Sequence, residues 1–141
     1  MFVLIVGCGR VGSAVAKAML EEGHEVSVLD EEPEAIALLN KGESESWEDR
    51  GGRFTVGTAL EIDALLEAGV AEAGAFVAST DGDNTNLVIA QIAKRRFDIE
   101  RVVVRVLDPA RAQWYAEQGL QTVCPTQTAI ELLETAVEEA A

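Results

Sequence analysis

Residues 6–14 read VGCGRVGSA and follow directly on the apolar run FVLIV at 2–6. Glycines at 7, 9 and 12 break what would otherwise be a buried strand, and a helical stretch resumes behind them. Glycine serves such a place for one of two reasons: the chain must turn tightly, or something must lie against bare backbone. The spacing is G-x-G-x-x-G in a strand–turn–helix context. In that motif Gly7 permits the turn, Gly9 lets a pyrophosphate approach the main chain, and Gly12 lets the helix pack close to the sheet. Cys8, Arg10 and Val11 fill the variable positions of the same phosphate loop, Cys8 as a small buried residue. The helix behind the turn aims free N–H groups and the positive end of its dipole at an anion.

Working outward, strand-like and helical stretches alternate along the whole chain. Strands are predicted at 2–6, 25–29, 53–56, 75–79, 101–106 and 121–124, and helices at 10–22, 33–40, 59–68, 83–96, 109–118 and 127–139. The runs at 2–6, 75–79 and 101–106 are nearly continuous in apolar or small residues, as in parallel strands buried on both faces. Two strand–helix–strand–helix–strand halves joined by right-handed crossovers give a doubly wound α/β fold. This is a Rossmann-type six-stranded parallel sheet in the order 3-2-1-4-5-6, with a helix after the last strand. The expected division is a nucleotide-binding domain over 1–125 and a C-terminal helix over 126–141. Asp108-Pro109 marks one helix start, and TALE (58–61) and TAIE (128–131) have capping-box spacing. Gly23, Gly69 and Gly119 sit where helices should stop. The polar stretch KGESESWEDRGG (41–52) reads as a mobile surface insertion.

The second strand ends at Asp30, about twenty residues past the glycine turn, where this fold places an acid that accepts from ribose hydroxyls. Glu31 and Glu32 follow it, so a 2′-phosphate would meet three carboxylates and no arginine, which disfavours NADP. Arg10 places a guanidinium at the head of the helix, able to fork onto the terminal phosphate of ATP or ADP. ASTDGDNTN (78–86) closes the fourth strand across the switch point, so Ser79, Thr80 and Asp81 are candidates to line the crevice. Arg105 is a charge inside an apolar run and needs a partner or a wet crevice.

Several classes are disfavoured. The net charge of −14 over 141 residues repels a phosphate backbone, so nucleic acid is not the expected partner. AKRRFDIER (93–101) is the one basic cluster and reads as a solvated helix end. No apolar run approaches the roughly 20 residues of a membrane span, and the first residues lack the features of a signal peptide. A cytoplasmic protein without direct membrane insertion is expected. Cys8 and Cys124 make neither a metal spacing nor a disulfide framework, and His24, the only histidine, falls in a turn. No nucleophile–base pair or metal cluster is legible, so a catalytic role is not expected.

Four segments together resemble a known family: 6–33, 56–94, VVVRVLDPA at 102–110 and VCPTQTAIELL at 123–133. They are similar to the N-terminal nucleotide-binding (TrkA-N, KTN or RCK-N) domain of potassium uptake and channel regulators, also fused to Kef antiporters. The resemblance implies a regulatory domain that binds NAD(H) or an adenine nucleotide (ATP, ADP or AMP) at the cytoplasmic face of a potassium channel or transporter. It further implies a homodimer or larger ring whose conformation follows the ligand. Carried over by position, Gly7 to Gly12 would hold phosphates and Asp30 and Glu31 would flank the ribose. Ser79 and Thr80 would lie on the adenosine side, and Arg105 would face the crevice. The family's Gly-Asp-Ala is here Gly57-Thr58-Ala59, so Thr58 keeps a helix cap but brings no carboxylate. The family's smaller C-terminal sensing domain has no counterpart in these residues. The rival reading is a dinucleotide-binding fragment of an NAD-dependent dehydrogenase, which would need a substrate domain beyond residue 125. A redox sensor answering to NADH without a transporter is a third.

Overall fold

A computed structural model describes residues 1–140. The strands are β1 (Phe2–Val6), β2 (Glu25–Asp30), β3 (Arg53–Val56), β4 (Ala75–Ala78), β5 (Arg101–Arg105) and β6 (Gln121–Val123). The helices are α1 (Arg10–Glu21), α2 (Ile36–Asn40), α3 (Ile62–Ala68), α4 (Asp83–Arg95), α5 (Pro109–Glu117) and α6 (Pro125–Ala140). Short 3₁₀ turns at Pro33–Ala35 and Val70–Glu72 lead into α2 and β4. All strand pairs are parallel, in the order β3-β2-β1-β4-β5-β6, as the alternation predicts. Ile5 on β1 aligns with Val28 on β2 and with Val77 on β4, so the chain order reverses at β1. A crevice opens beyond the carboxyl ends of these strands.

The core lies in two layers, one on each face of the sheet. Val3, Ile5, Val26, Val28, Leu39 and Trp47 pack with Ala16 of α1 on one face. Leu4, Leu29, Leu65, Phe76, Ile89, Val102 and Val104 pack with Tyr115 on the other. Asp108 caps α5 by accepting from the Ala110 amide at 3.0 Å, and Gly23, Gly69 and Gly119 close helices with positive φ.

Four local expectations are corrected. β1 is buried on both faces, but β4 alternates between half-buried and buried residues, and β5 does the same after an exposed Arg101. The cause is helix placement: α1 packs on β1 and β2, while α4 packs on β4 and β5 from the opposite face. Thr58 does not cap α3, which begins four residues later behind Glu61; Thr58 instead closes a turn, its carbonyl accepting from the Glu61 amide. TAIE is likewise no capping box. α6 already starts at Pro125, and Cys124 occupies the cap position, its Sγ 3.4 Å from the Gln127 amide.

The fourth correction concerns 41–52, which is anchored through a core residue. Trp47 is fully buried, its indole N–H donates to the Arg53 carbonyl at 2.9 Å, and its amide donates to Asn40 Oδ1 at 2.7 Å. Arg50 lies over the indole ring and donates to the Leu39 carbonyl. Lys17 on α1 donates to the carbonyls of Leu38 and Lys41 and pairs with Glu43. The loop therefore holds the end of α2 in place.

Candidate functional site

The three glycines of the turn have different reasons to be glycine. Gly7 has φ +105°, and a Cβ there would sit 2.6 Å from the Ser79 backbone. A Cβ on Gly12 would collide with the Gly7 carbonyl oxygen. Both are dictated by close approach of the chain to itself. Gly9 differs: φ is −86°, and a Cβ would meet nothing within 4 Å. It is the helix cap position, has no side-chain cap, and is exposed to a cleft.

That cleft, of about 670 Å³, lies over the carboxyl ends of the strands. Gly7, Cys8 and Gly9 form its floor; Asp30 and Glu31 line one side, Thr58 and Ala59 another, and Ser79, Thr80 and Asp81 a third. Ten of the residues singled out from sequence therefore meet in one cavity.

Four others do not line it. Gly12 is buried beneath the turn, and Arg10 and Val11 are exposed on the first turn of α1. Arg105 stands behind the wall rather than facing the crevice as expected. Its Nη2 donates to the Thr80 carbonyl at 2.9 Å and pairs with Asp81 at 3.2 Å. The charge within the apolar strand is thus accommodated by the loop after β4, although buried Nε has no partner among the described residues.

Asp30 holds the cleft together from one side. Its carboxylate accepts from the Cys8 amide at 2.7 Å and from the Glu32 amide at 2.9 Å. Each oxygen retains a lone pair for a further donor. The adjacent Cys8 thiol is pushed up to about 11, by burial first and by the Asp30 charge second. The thiol is therefore neutral at ordinary pH.

Ser79 and Thr80 turn their hydroxyls toward the protein. Ser79 Oγ donates toward the carbonyls of Val6 and Gly7, fixing the exit of β1. Thr80 Oγ1 lies 2.6 Å from Asn86 Oδ1.

Asn86, the last residue of the ASTDGDNTN stretch, is not among those singled out from it. It is fully buried, accepts from the Thr80 amide, and donates to the carbonyls of Thr80 and Arg105. Helical spacing could have found it: Asn86, Ile89, Ala90 and Ala93 share the buried face of α4. Glu34, Ala35 and Leu38 also line the cleft unannounced. Their signal was the four-residue spacing of 34 and 38 just after the acidic strand end.

The geometry is a cleft floored by the glycine turn and bordered by the Asp30 carboxylate. The family model for the TrkA-N domain matches residues 3–126. The Trk system potassium uptake protein TrkA of Streptomyces coelicolor is 42% identical over 123 residues, covering 87% of this chain and 52% of that protein. The chain thus spans about half the length of this relative. Among solved structures, the Shewanella denitrificans Kef CTD in AMP-bound form superposes with a TM-score of 0.79 at 24% identity, covering 100% of this chain and 82% of that one. The GsuK channel bound to NAD gives 0.80 at 18% identity, covering 99% and 23%. These two show that the fold is shared.

Proposed function

Because the chain belongs to the TrkA-N domain family, we propose that it binds an adenine nucleotide or NAD(H) and thereby regulates a potassium channel or transporter. The observation that carries this reading is Gly9. Gly7 and Gly12 are required by the fold itself, whereas nothing in the protein needs the bare backbone at 9, which opens into the cleft. A phosphate resting on that backbone does. The carboxylate of Asp30 is placed to accept from the ribose hydroxyls. With Glu31, Glu32 and Glu34 beside it, a 2′-phosphate is disfavoured, so the ligand is not NADP. Relatives support the physiological side: the Streptomyces protein belongs to a potassium uptake system, and two structures of the same fold hold AMP and NAD.

The role is regulatory rather than catalytic. It is exerted from the cytoplasmic face on a membrane partner, by a homodimer or larger ring assembled through α6. The cleft brings together backbone amides, hydroxyls already committed to the protein, and carboxylates, which suits holding a ligand.

The test is a pair of substitutions. Gly9→Ala leaves stability within about 1 kcal/mol of wild type, since the new methyl meets nothing. It nevertheless weakens nucleotide binding tenfold or more. Gly12→Ala destabilises the fold directly. Unchanged nucleotide affinity in a folded Gly9→Ala protein, measured by calorimetry, overturns the reading.

A further inference from the structure

Glu34, Ala35 and Leu38 line one wall of the cleft, yet α2 is only five residues long and Leu39 is its one buried residue. A helix so short does not persist on its own hydrogen bonds. What holds it comes from outside the cleft. The carbonyls of Leu38 and Lys41 accept from Lys17 Nζ at 3.5 and 3.0 Å, and the Leu39 carbonyl accepts from Arg50 Nη2 at 2.8 Å. Asn40 Oδ1 accepts from the Trp47 amide at 2.7 Å. Glu43 pairs with both cations, 3.5 Å from Lys17 and 3.8 Å from Arg50. Trp47 fixes this arrangement to the core. Its ring is fully buried, lies against Arg50, and fills space that any side chain at Gly52 would invade. Lys17, Glu43, Trp47 and Arg50 all stand outside the cleft lining.

Resting on the nucleotide reading above, we infer that the 41–52 stretch is a clasp that sets ligand affinity through α2, with Trp47 and Arg50 as positioning residues. The near end of the wall shares a frame with the glycine turn, because the Cys8 thiol donates to the Ala35 carbonyl at 3.4 Å. The far end, at Leu38, is placed by Lys17 and the clasp. A ligand seated on the glycine turn and reaching past Asp30 meets Leu38 only while the clasp holds it there. Binding to a wall that is correctly placed for part of the time is weakened by that fraction, so a wall competent one-tenth of the time costs about tenfold in affinity. Linkage runs in the other direction too: a ligand that needs the seated wall tightens the clasp around Trp47.

Calorimetry of the 141-residue chain and its Arg50→Gln variant with ADP and with NAD⁺ tests this, with a urea midpoint for each protein. The variant is expected to stay folded and to bind both ligands about tenfold more weakly. Arg50→Lys, which keeps a donor for the Leu39 carbonyl, recovers part of the loss. In a Leu38→Ala background the Arg50→Gln change costs less than about twofold, because the wall it positions has been cut away. A second measurement leaves the clasp intact. The chain has two tryptophans, so in Trp114→Phe the indole fluorescence comes from Trp47 alone. Saturating ADP lowers acrylamide quenching of Trp47 by about twofold, although the indole does not line the site. Unchanged affinity in a folded Arg50→Gln protein overturns the inference, and so does an equal loss with and without Leu38. If no Arg50 variant folds, quenching indifferent to bound ADP overturns it instead. In each of these cases wild type still binds, and the nucleotide reading stands. Binding of neither ligand by wild type sinks that reading, and this inference with it.

Discussion

The amide of Cys8 donates to Asp30 Oδ2 across 2.7 Å, joining the glycine turn to the end of β2. The second oxygen accepts from Glu32 at 2.9 Å, so one carboxylate sets both the turn and the exit of its own strand. Asp30 is thus a structural acceptor and, in the proposed function, a ligand acceptor at once. The two roles are separable by substitution.

Asp30→Ala removes both bonds and the charge. Hydrogen bonds to a charged acceptor contribute about 1.5–3 kcal/mol, and the half-exposed position puts the loss in stability toward the lower end. Nucleotide affinity falls tenfold or more. Asp30→Asn keeps an acceptor for the Cys8 amide and recovers most of the stability, but loses the charged acceptor for a ribose. Urea denaturation and calorimetry on both variants check this. Affinity unchanged in Asp30→Ala removes Asp30 from the ligand site.

Cys8 supplies a pH signature. Burial and then the Asp30 charge raise its thiol from 9.0 to about 11 in the folded chain. A group whose folded pKa is raised contributes stability that is complete below the unfolded value and disappears as pH climbs through the folded one. The loss therefore falls between pH 9 and pH 11, roughly 2–3 kcal/mol at most. Denaturation of wild type against Cys8→Ala across that window isolates it from other titrations. The two curves should run parallel below pH 9 and converge above it. Parallel curves throughout would mean that the thiol does not feel its burial. The same neutrality makes Cys8 slow to alkylate near neutral pH.

Alternation of strands and helices carried the whole topology, because the G-x-G-x-x-G turn and the strand-terminal Asp30 fix where β1 and β2 end. Sheet order follows from crossover handedness. Burial was less legible. The apolar runs of β4 and β5 predict cover on both faces, but cover depends on which helix lies where, and sequence does not state that. The 41–52 stretch is the clearest case. Its composition is polar and glycine-rich, so the one indole inside it was outvoted. Yet Trp47 is wholly buried, and Gly52 leaves the space its ring fills. A single aromatic can anchor a loop whose average reads as solvent. At the site, backbone contributors were legible because glycine spacing encodes close approach. Arg105 was misplaced because its partners, the Thr80 carbonyl and Asp81, come from another strand's loop. The role of Asn86, the last letter of ASTDGDNTN, depends on partners that lie outside α4: the amide and carbonyl of Thr80 and the carbonyl of Arg105.

The last helix returns to the question of assembly. Ala129, Ile130, Leu133, Ala136, Val137 and Ala140 recur at three- and four-residue spacing, with Leu132 widening the stripe. Such a stripe is stable only when covered, and its own domain does not cover it: α6 has no buried residue. Leu132 and Leu133 are each 66% exposed and Val137 is 70% exposed. A two-fold pairing of this helix with that of a second copy needs only one self-complementary patch. Covering the stripe is worth roughly 25 cal/mol per Å² of apolar surface. Glu131, Glu134, Glu138 and Glu139 oppose association at low salt, so the assembly strengthens as salt screens them. Light scattering should find a dimer or larger species at tens of micromolar, a concentration typical of modest interfaces. Leu133→Glu should yield a monomer whose urea midpoint matches wild type extrapolated to low concentration, since the side chain touches little of its own domain. A wild-type monomer that stays monomeric in high salt would exclude α6 as a self-association surface.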